Sequence, residues 1–314
     1  MLAGLLFAIG ACCVWGLIFV VPQFLADFSA VEVVLGRYFT YGILSTLLFF
    51  CTGFKNIFRY SPKIWRNAFL FALFSNLIYY LGLVTGLRFA SPTLSVLIVG
   101  LAPISIALYG NWQTREIAYR DLAIPCLWIG FGLVLVNAIE VDWGFQAHSF
   151  GQYLLGLAGI LTALISWSWY AVQNARFLKR NPQIPASEWS TAMGVATLFW
   201  VVLIGGLFAL GMKKEVDLSK FFSLSPEILR YFLGAAILGV ICSWLGCFLW
   251  SQASVRLPIS LMGPLLVFEM LFGLLFVLLF ERKLPSWIEL AGVASMIGGI
   301  LTSINTFRKK RLVG

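Results

Sequence analysis

The chain has 314 residues, of which 61% are hydrophobic and 11% charged, with a formal net charge of +9. A soluble globular domain carries about 25% charged residues, so this composition excludes water as the main solvent of the folded surface. Six cysteines without CxxC spacing and a single histidine, His148, argue against a disulfide framework, a zinc site or a histidine-based catalytic centre.

Apolar stretches at 2–24, 30–51, 66–87, 92–110, 122–139, 151–175, 188–210, 229–253, 258–280 and 286–306 predict ten membrane-spanning helices. Each approaches the ~20 residues that an α-helix needs to cross ~30 Å of hydrocarbon. Continuous apolar runs point to helices, because the strands of membrane barrels alternate. The spans use up the chain and leave no stretch for a soluble catalytic domain. No Lys or Arg occurs in the first 36 residues, so the first span reads as retained and not as a signal peptide.

Basic residues favour one set of links. With the N-terminus inside, Lys55, Arg59, Lys63, Arg66, Arg115, Arg120, Arg176, Lys179, Arg180, Arg256 and the tail Arg308-Lys309-Lys310-Arg311 fall on the cytoplasmic side. Arg88, Lys213, Lys214, Lys220, Arg230, Arg282 and Lys283 fall outside. The positive-inside rule then places both termini in the cytoplasm. The basic tail at 308–314 reads as an anchor on anionic lipid, and nucleic acid is not expected as a partner.

In chain order, span one carries Trp15 and span two Arg37. Span three carries Asn76, Tyr79 and Tyr80, and span six Trp167, Trp169 and Tyr170. Span eight carries Trp244, and span nine Glu269. An ionisable side chain at the centre of a span costs about 2.5–3.5 kcal/mol on insertion scales, so it must face a cavity or a partner. Glu269 can hold a cationic group or exchange a proton; the alternative is a structural ion pair. Arg37 can hold a carboxylate or phosphate, snorkel to the interface, or pair with Glu32. The aromatic residues can stack on a substrate or hold a cation, or they pack helices. Asn76 stands three residues before Tyr79, which on an α-helix sends both the same way. Glycines at 130–132, 205–206 and 298–299 read as surfaces of close helix approach.

The chain also repeats itself. Tyr79-Tyr80-Leu81-Gly82 in span three matches Ser243-Trp244-Leu245-Gly246 in span eight. The junction 87–92 matches 255–258, Pro103 matches Pro264, and Glu116 matches Glu281. The halves are 1–147 and 148–307, with five spans each. An odd number of crossings starts the second half on the opposite side, so the fold class is an all-α integral membrane protein, ten transmembrane helices arranged as two inverted five-helix repeats.

Trp15-Gly16, Arg37, the junction at 88–92 and the block Pro264…Glu281…Gly292…Gly298-Gly299 together resemble the EamA family of the drug/metabolite transporter superfamily. The first repeat departs from the pattern at Pro125, where the family has glycine. The resemblance implies a ten-helix carrier with a central cavity that moves metabolites without ATP, and no GxxxxGK[ST] loop occurs. The expected function is secondary transport, by export or exchange, of small organic metabolites such as amino acids. Cationic amines or drugs are the alternative cargo. An intramembrane enzyme or lipid-handling protein is the alternative class, although the clustered catalytic groups it needs are missing from the sequence. The expected substrate contacts are Trp15, Arg37, Asn76, Tyr79, Tyr80, Trp167, Trp169, Tyr170, Trp244 and Glu269. No cofactor or metal is expected. The expected partners are a small-molecule substrate, membrane lipids and a coupling proton or counter-substrate. The expected setting is the bacterial inner membrane, as a monomer or homodimer.

Overall fold

The computed structural model describes residues 1–51, 60–137, 150–211 and 225–313. His148, Lys55, Arg59, Lys213, Lys214 and Lys220 lie outside the described residues. Ten helical spans are long and apolar enough to cross a membrane: Leu2–Leu25, Ala30–Cys51, Pro62–Phe89, Leu94–Thr114, Tyr119–Asn137, Phe150–Arg180, Ala186–Gly206, Pro226–Arg256, Ile259–Glu281 and Trp287–Lys310. Every expected span is present. The described residues contain no strand.

Several spans run past their apolar core. Span six carries Arg176, Lys179 and Arg180 as helix. Cations at a helix C-terminus complement the dipole, and their long stems let the charge reach water, so the helix outlasts the hydrophobic signal. Spans three and eight both begin with Ser-Pro, at Ser61-Pro62 and Ser225-Pro226. Proline suits the first helical turn, where its missing N–H costs nothing.

The spans are not uniform α-helix. The first is α-helical to Gly16, then tightens into 3₁₀ turns at Leu17–Phe19 and Val21–Leu25, where Pro22 removes a donor. The fourth breaks at Gly100–Leu101, ahead of Pro103. Spans three and eight each widen into a π-helix, at Leu73–Ile78 and Ile237–Leu245. Each widening begins eleven residues past the opening proline of its span, at Leu73 after Pro62 and at Ile237 after Pro226. π-helices are rare and concentrate at functional sites, so their appearance at matched places in the two halves is informative.

Packing matches in the same way. Span five packs on ten, two on seven and four on nine. Span three packs on six as one packs on eight, and span one packs on nine as four packs on six. Exchanging each span for the one five places along the chain maps these pairs onto one another. The main core is built from spans one, four, five, six, eight, nine and ten, with Val33 of span two. A second core joins spans two, three, six and seven around the buried Trp189.

The glycine expectation holds at Gly132 and Gly299 and fails at 205–206. A Cβ on Gly132 would lie 2.6 Å from the Gly292 carbonyl oxygen, and one on Gly299 2.7 Å from the Ile129 side chain, so spans five and ten touch backbone to backbone. Among the described residues, Gly205 and Gly206 have nothing within 4 Å and meet no neighbouring helix.

Candidate functional site

Arg37 sits on span two with its Nε 2.9 Å from the Ser243 hydroxyl, which accepts the bond. That hydroxyl donates in turn to the Leu238 carbonyl at 3.0 Å, inside the π-helix of span eight. The pairing of Arg37 with Glu32 does not form. Glu32 instead closes a capping box, accepting from the Ser29 N–H at 2.7 Å and hydroxyl at 2.9 Å. The Arg37 side chain is therefore free to extend inward. Its two terminal nitrogens make no hydrogen bond among the described residues.

Glu269 on span nine interacts electrostatically with Arg37, and both charges act on the Tyr79 hydroxyl of span three. Cys12 on span one and Cys242 on span eight also feel the Glu269 charge. Groups on four other spans thus lie within electrostatic reach of the Glu269 carboxylate. Among the described residues, neither the Glu269 carboxylate nor the Tyr79 hydroxyl has a hydrogen-bond partner. Glu269, Arg37 and Tyr79 are each only half-buried. The sealed unpartnered polar atoms are found elsewhere, at Glu32, Ser45, Ser168, Asn174, Ser251, Ser260 and Ser303. The Glu269 carboxylate, the Tyr79 hydroxyl and the terminal nitrogens of Arg37 are polar groups inside apolar spans without a protein hydrogen-bond partner among the described residues, so each calls for water or a solute.

Aromatic rings cluster around Tyr79. Trp167 of span six lies 5.5 Å from Tyr79, 5.4 Å from Tyr170 and 6.2 Å from Trp15, centroid to centroid. Trp15 leans on Trp250 at 5.2 Å and donates from Nε1 to the Cys242 carbonyl at 2.8 Å. That carbonyl belongs to the π-helix of span eight. The matching bond in the other half runs from the Ser166 hydroxyl to the Phe74 carbonyl, at 2.6 Å, in the π-helix of span three.

Six of the ten expected contact residues therefore come together: Trp15, Arg37, Tyr79, Trp167, Tyr170 and Glu269. Four are placed elsewhere. Asn76 donates to the Thr197 hydroxyl on span seven at 2.8 Å. It does not point with Tyr79, because the π-helix between them widens the turn and rotates Asn76 toward span seven. Tyr80 donates to the Ala30 carbonyl at 2.9 Å, pinning the start of span two. Trp169 packs on Phe71 and Phe74 of span three, at 5.7 and 4.6 Å. Trp244 donates to the Thr191 hydroxyl at 3.2 Å and stacks on Phe248. Sequence reasoning passed over Ser243, Thr191 and Thr197 as anchors of these side chains. Small hydroxyls inside apolar helices give no periodic signal, although each is a polar group that must find a partner away from water.

Opposite charges on spans two and nine, both acting on the Tyr79 hydroxyl, with Trp167 packed against Tyr79, suit a small molecule bearing both an ammonium and a carboxylate. The free fork of Arg37 matches a carboxylate bidentately. Glu269 and the aromatic faces attract a cation.

The comparisons agree with this architecture. The sequence model of the EamA-like transporter family matches residues 2–138. Inner membrane protein YtfF of Escherichia coli (strain K12) is 31% identical over 316 residues, an alignment that covers 99% of this chain and 98% of the relative. A solved crystal structure, 18% identical, superposes with a TM-score of 0.76 over 98% of each chain and shows the same fold. The chain is a multi-pass membrane transporter and belongs to the EamA-like transporter family of the drug/metabolite transporter superfamily.

Proposed function

We propose that this transporter exports or exchanges small zwitterionic metabolites, amino acids among them, by alternating access about the recess between Arg37 and Glu269. The two halves, 1–147 and 148–307, act as inverted repeats that rock about this site, with both termini in the cytoplasm of a bacterium and the spans in its inner membrane. The inner-membrane relative and the excess of basic residues on the face of the termini support that setting. What supports the substrate class is a pair of opposite charges inside the spans, Arg37 and Glu269, that interact with each other while the Glu269 carboxylate and the Arg37 terminal nitrogens make no hydrogen bond among the described residues. A lone carboxylate in the recess would favour amines; the accompanying guanidinium fork favours a substrate of both signs. A proton on Glu269, or a second solute, supplies the coupling.

Counterflow in proteoliposomes tests this with radiolabelled amino acids, amines and carboxylic acids side by side. Amino acids are expected to exchange, with both Glu269→Gln and Arg37→Gln lowering the rate at least tenfold. Exchange of amines alone, insensitive to Arg37→Gln, would move the cargo to the cationic class.

A further inference from the structure

Ten residues before Glu269, span nine begins at Ile259 with Pro258 in the N-cap position, and the Pro258 side chain offers no cap of its own. The corresponding start of the fourth helix, at Pro92, has Ser91 as N-cap, and its hydroxyl accepts from the Leu94 N–H at 3.1 Å. One junction is self-capped; the other leaves its first N–H groups to be satisfied from outside. The partner is Glu116, in the link between spans four and five. Its two carboxylate oxygens accept from the Ile259 and Ser260 N–H groups, each at 2.8 Å.

Glu116 is presented by a built turn. Arg115 closes span four in the left-handed region at φ 50°. The Asn111 side chain then clasps Ile117, donating to its carbonyl and accepting from its N–H, both at 3.0 Å. Around this contact, Lys310 donates to the Glu116 carbonyl and Lys179 to the Leu257 carbonyl, and the Lys179 and Glu116 charges interact. Links and ends of spans four, six, nine and ten thus meet on the face that carries the termini.

Among the described residues the other half lacks this arrangement. Span nine also ends on a left-handed residue, Arg282 at φ 54°. The residue after it, in the place of Glu116, is Lys283, and a cation cannot accept from a helix N-terminus. The sequence match of Glu116 with Glu281 is thereby corrected: the turns set Glu116 against Lys283. Leu284, in the place of the buried Ile117, is 94% exposed.

We infer that Glu116 is a one-sided gate latch: it holds span nine, and with it Glu269, in the conformation closed on the face of the termini, and must release Ile259 and Ser260 for that face to open. The inference rests on alternating access. Because the latch and the charged site share one helix, release on one face moves the site itself.

The test uses the full chain in vesicles, with the six native cysteines replaced and one thiol introduced by Tyr79→Cys in the recess. A membrane-impermeant maleimide is applied from either side. Glu116→Ala is expected to raise labelling from the face of the termini about tenfold and to lower it from the opposite face. Adding Pro258→Ser supplies the missing cap, and is expected to restore thermal stability without reversing the shift. Unchanged sidedness, equal gains from both faces, or a return to parental labelling with Pro258→Ser would overturn the latch and leave only a structural cap. A labelling shift in a chain whose parent exchanges no amino acid supports the latch while sinking the substrate proposal, so the two failures are distinguishable.

Discussion

Arg37 shows how one side chain is turned from a liability into a site. A guanidinium inside a span must be engaged, and here a single bond from Nε to Ser243 sets its direction while leaving the fork free. Ser243 is itself set by the π-helix carbonyl of Leu238. Removing the hydroxyl should leave the charge in place and loosen its aim. Ser243→Ala is therefore expected to raise KM for amino acid exchange about tenfold, the equivalent of about 1.4 kcal/mol, near the lower end of what a hydrogen bond to a charged group contributes. The maximal rate should change far less. Initial rates across a substrate series in proteoliposomes would decide it; an unaltered KM would mean that Arg37 is positioned by something else. At this scale the sequence was half legible. Arg37 and Glu269 stand out because charge is rare in apolar spans, and their neighbours Trp15, Tyr79 and Trp167 follow from residue type. That Trp169 turns away while Trp167 turns inward is decided by packing on Phe71 and Phe74, which no local pattern encodes.

The two π-helices are the elements that set the site's geometry, and they were the least visible. Leu73–Ile78 and Ile237–Leu245 are apolar runs that satisfy a helix of any pitch, so hydropathy reports the span and is silent on its winding. The price was the direction of Asn76. A π-helix exposes carbonyls to bonds from outside, and here each half supplies one donor: Trp15 to Cys242, Ser166 to Phe74. These bonds join span one to eight and span six to three, which are equivalent pairs. Ser166→Ala removes one donor with little change of volume. Interhelical side-chain bonds in membranes contribute on the order of 1 kcal/mol, so a loss of roughly that size is expected in detergent unfolding, with Trp15→Phe giving a similar or larger loss through its greater bulk. If Ser166→Ala proves neutral, the Phe74 carbonyl has an alternative partner and the π-helix does not depend on its neighbour.

At the scale of the whole molecule, the crossing number was the most legible property, because ~20 apolar residues per span is a demand of the bilayer and leaves its mark on every element. The proposed orientation rests on the same physics, since basic residues resist translocation. Among the described residues the face of the termini carries Lys63, Arg66, Arg115, Arg120, Arg176, Lys179, Arg180, Arg256, Arg308, Lys309, Lys310 and Arg311, against Arg88, Arg230, Arg282 and Lys283 on the other. If the halves are inverted, the four–five link and its counterpart, the nine–ten link, must lie on opposite sides although both close with a left-handed arginine. Single cysteines at Ala118 and Asn181 are expected to resist an impermeant thiol reagent in intact cells and to react only after permeabilisation. Cysteines at Ala26 and Pro285 should react from outside. Labelling of Ala118→Cys and Pro285→Cys from the same side would mean that the two halves are parallel; Arg37 and Glu269 could then still meet, but no exchange of equivalent gates would carry a solute past them.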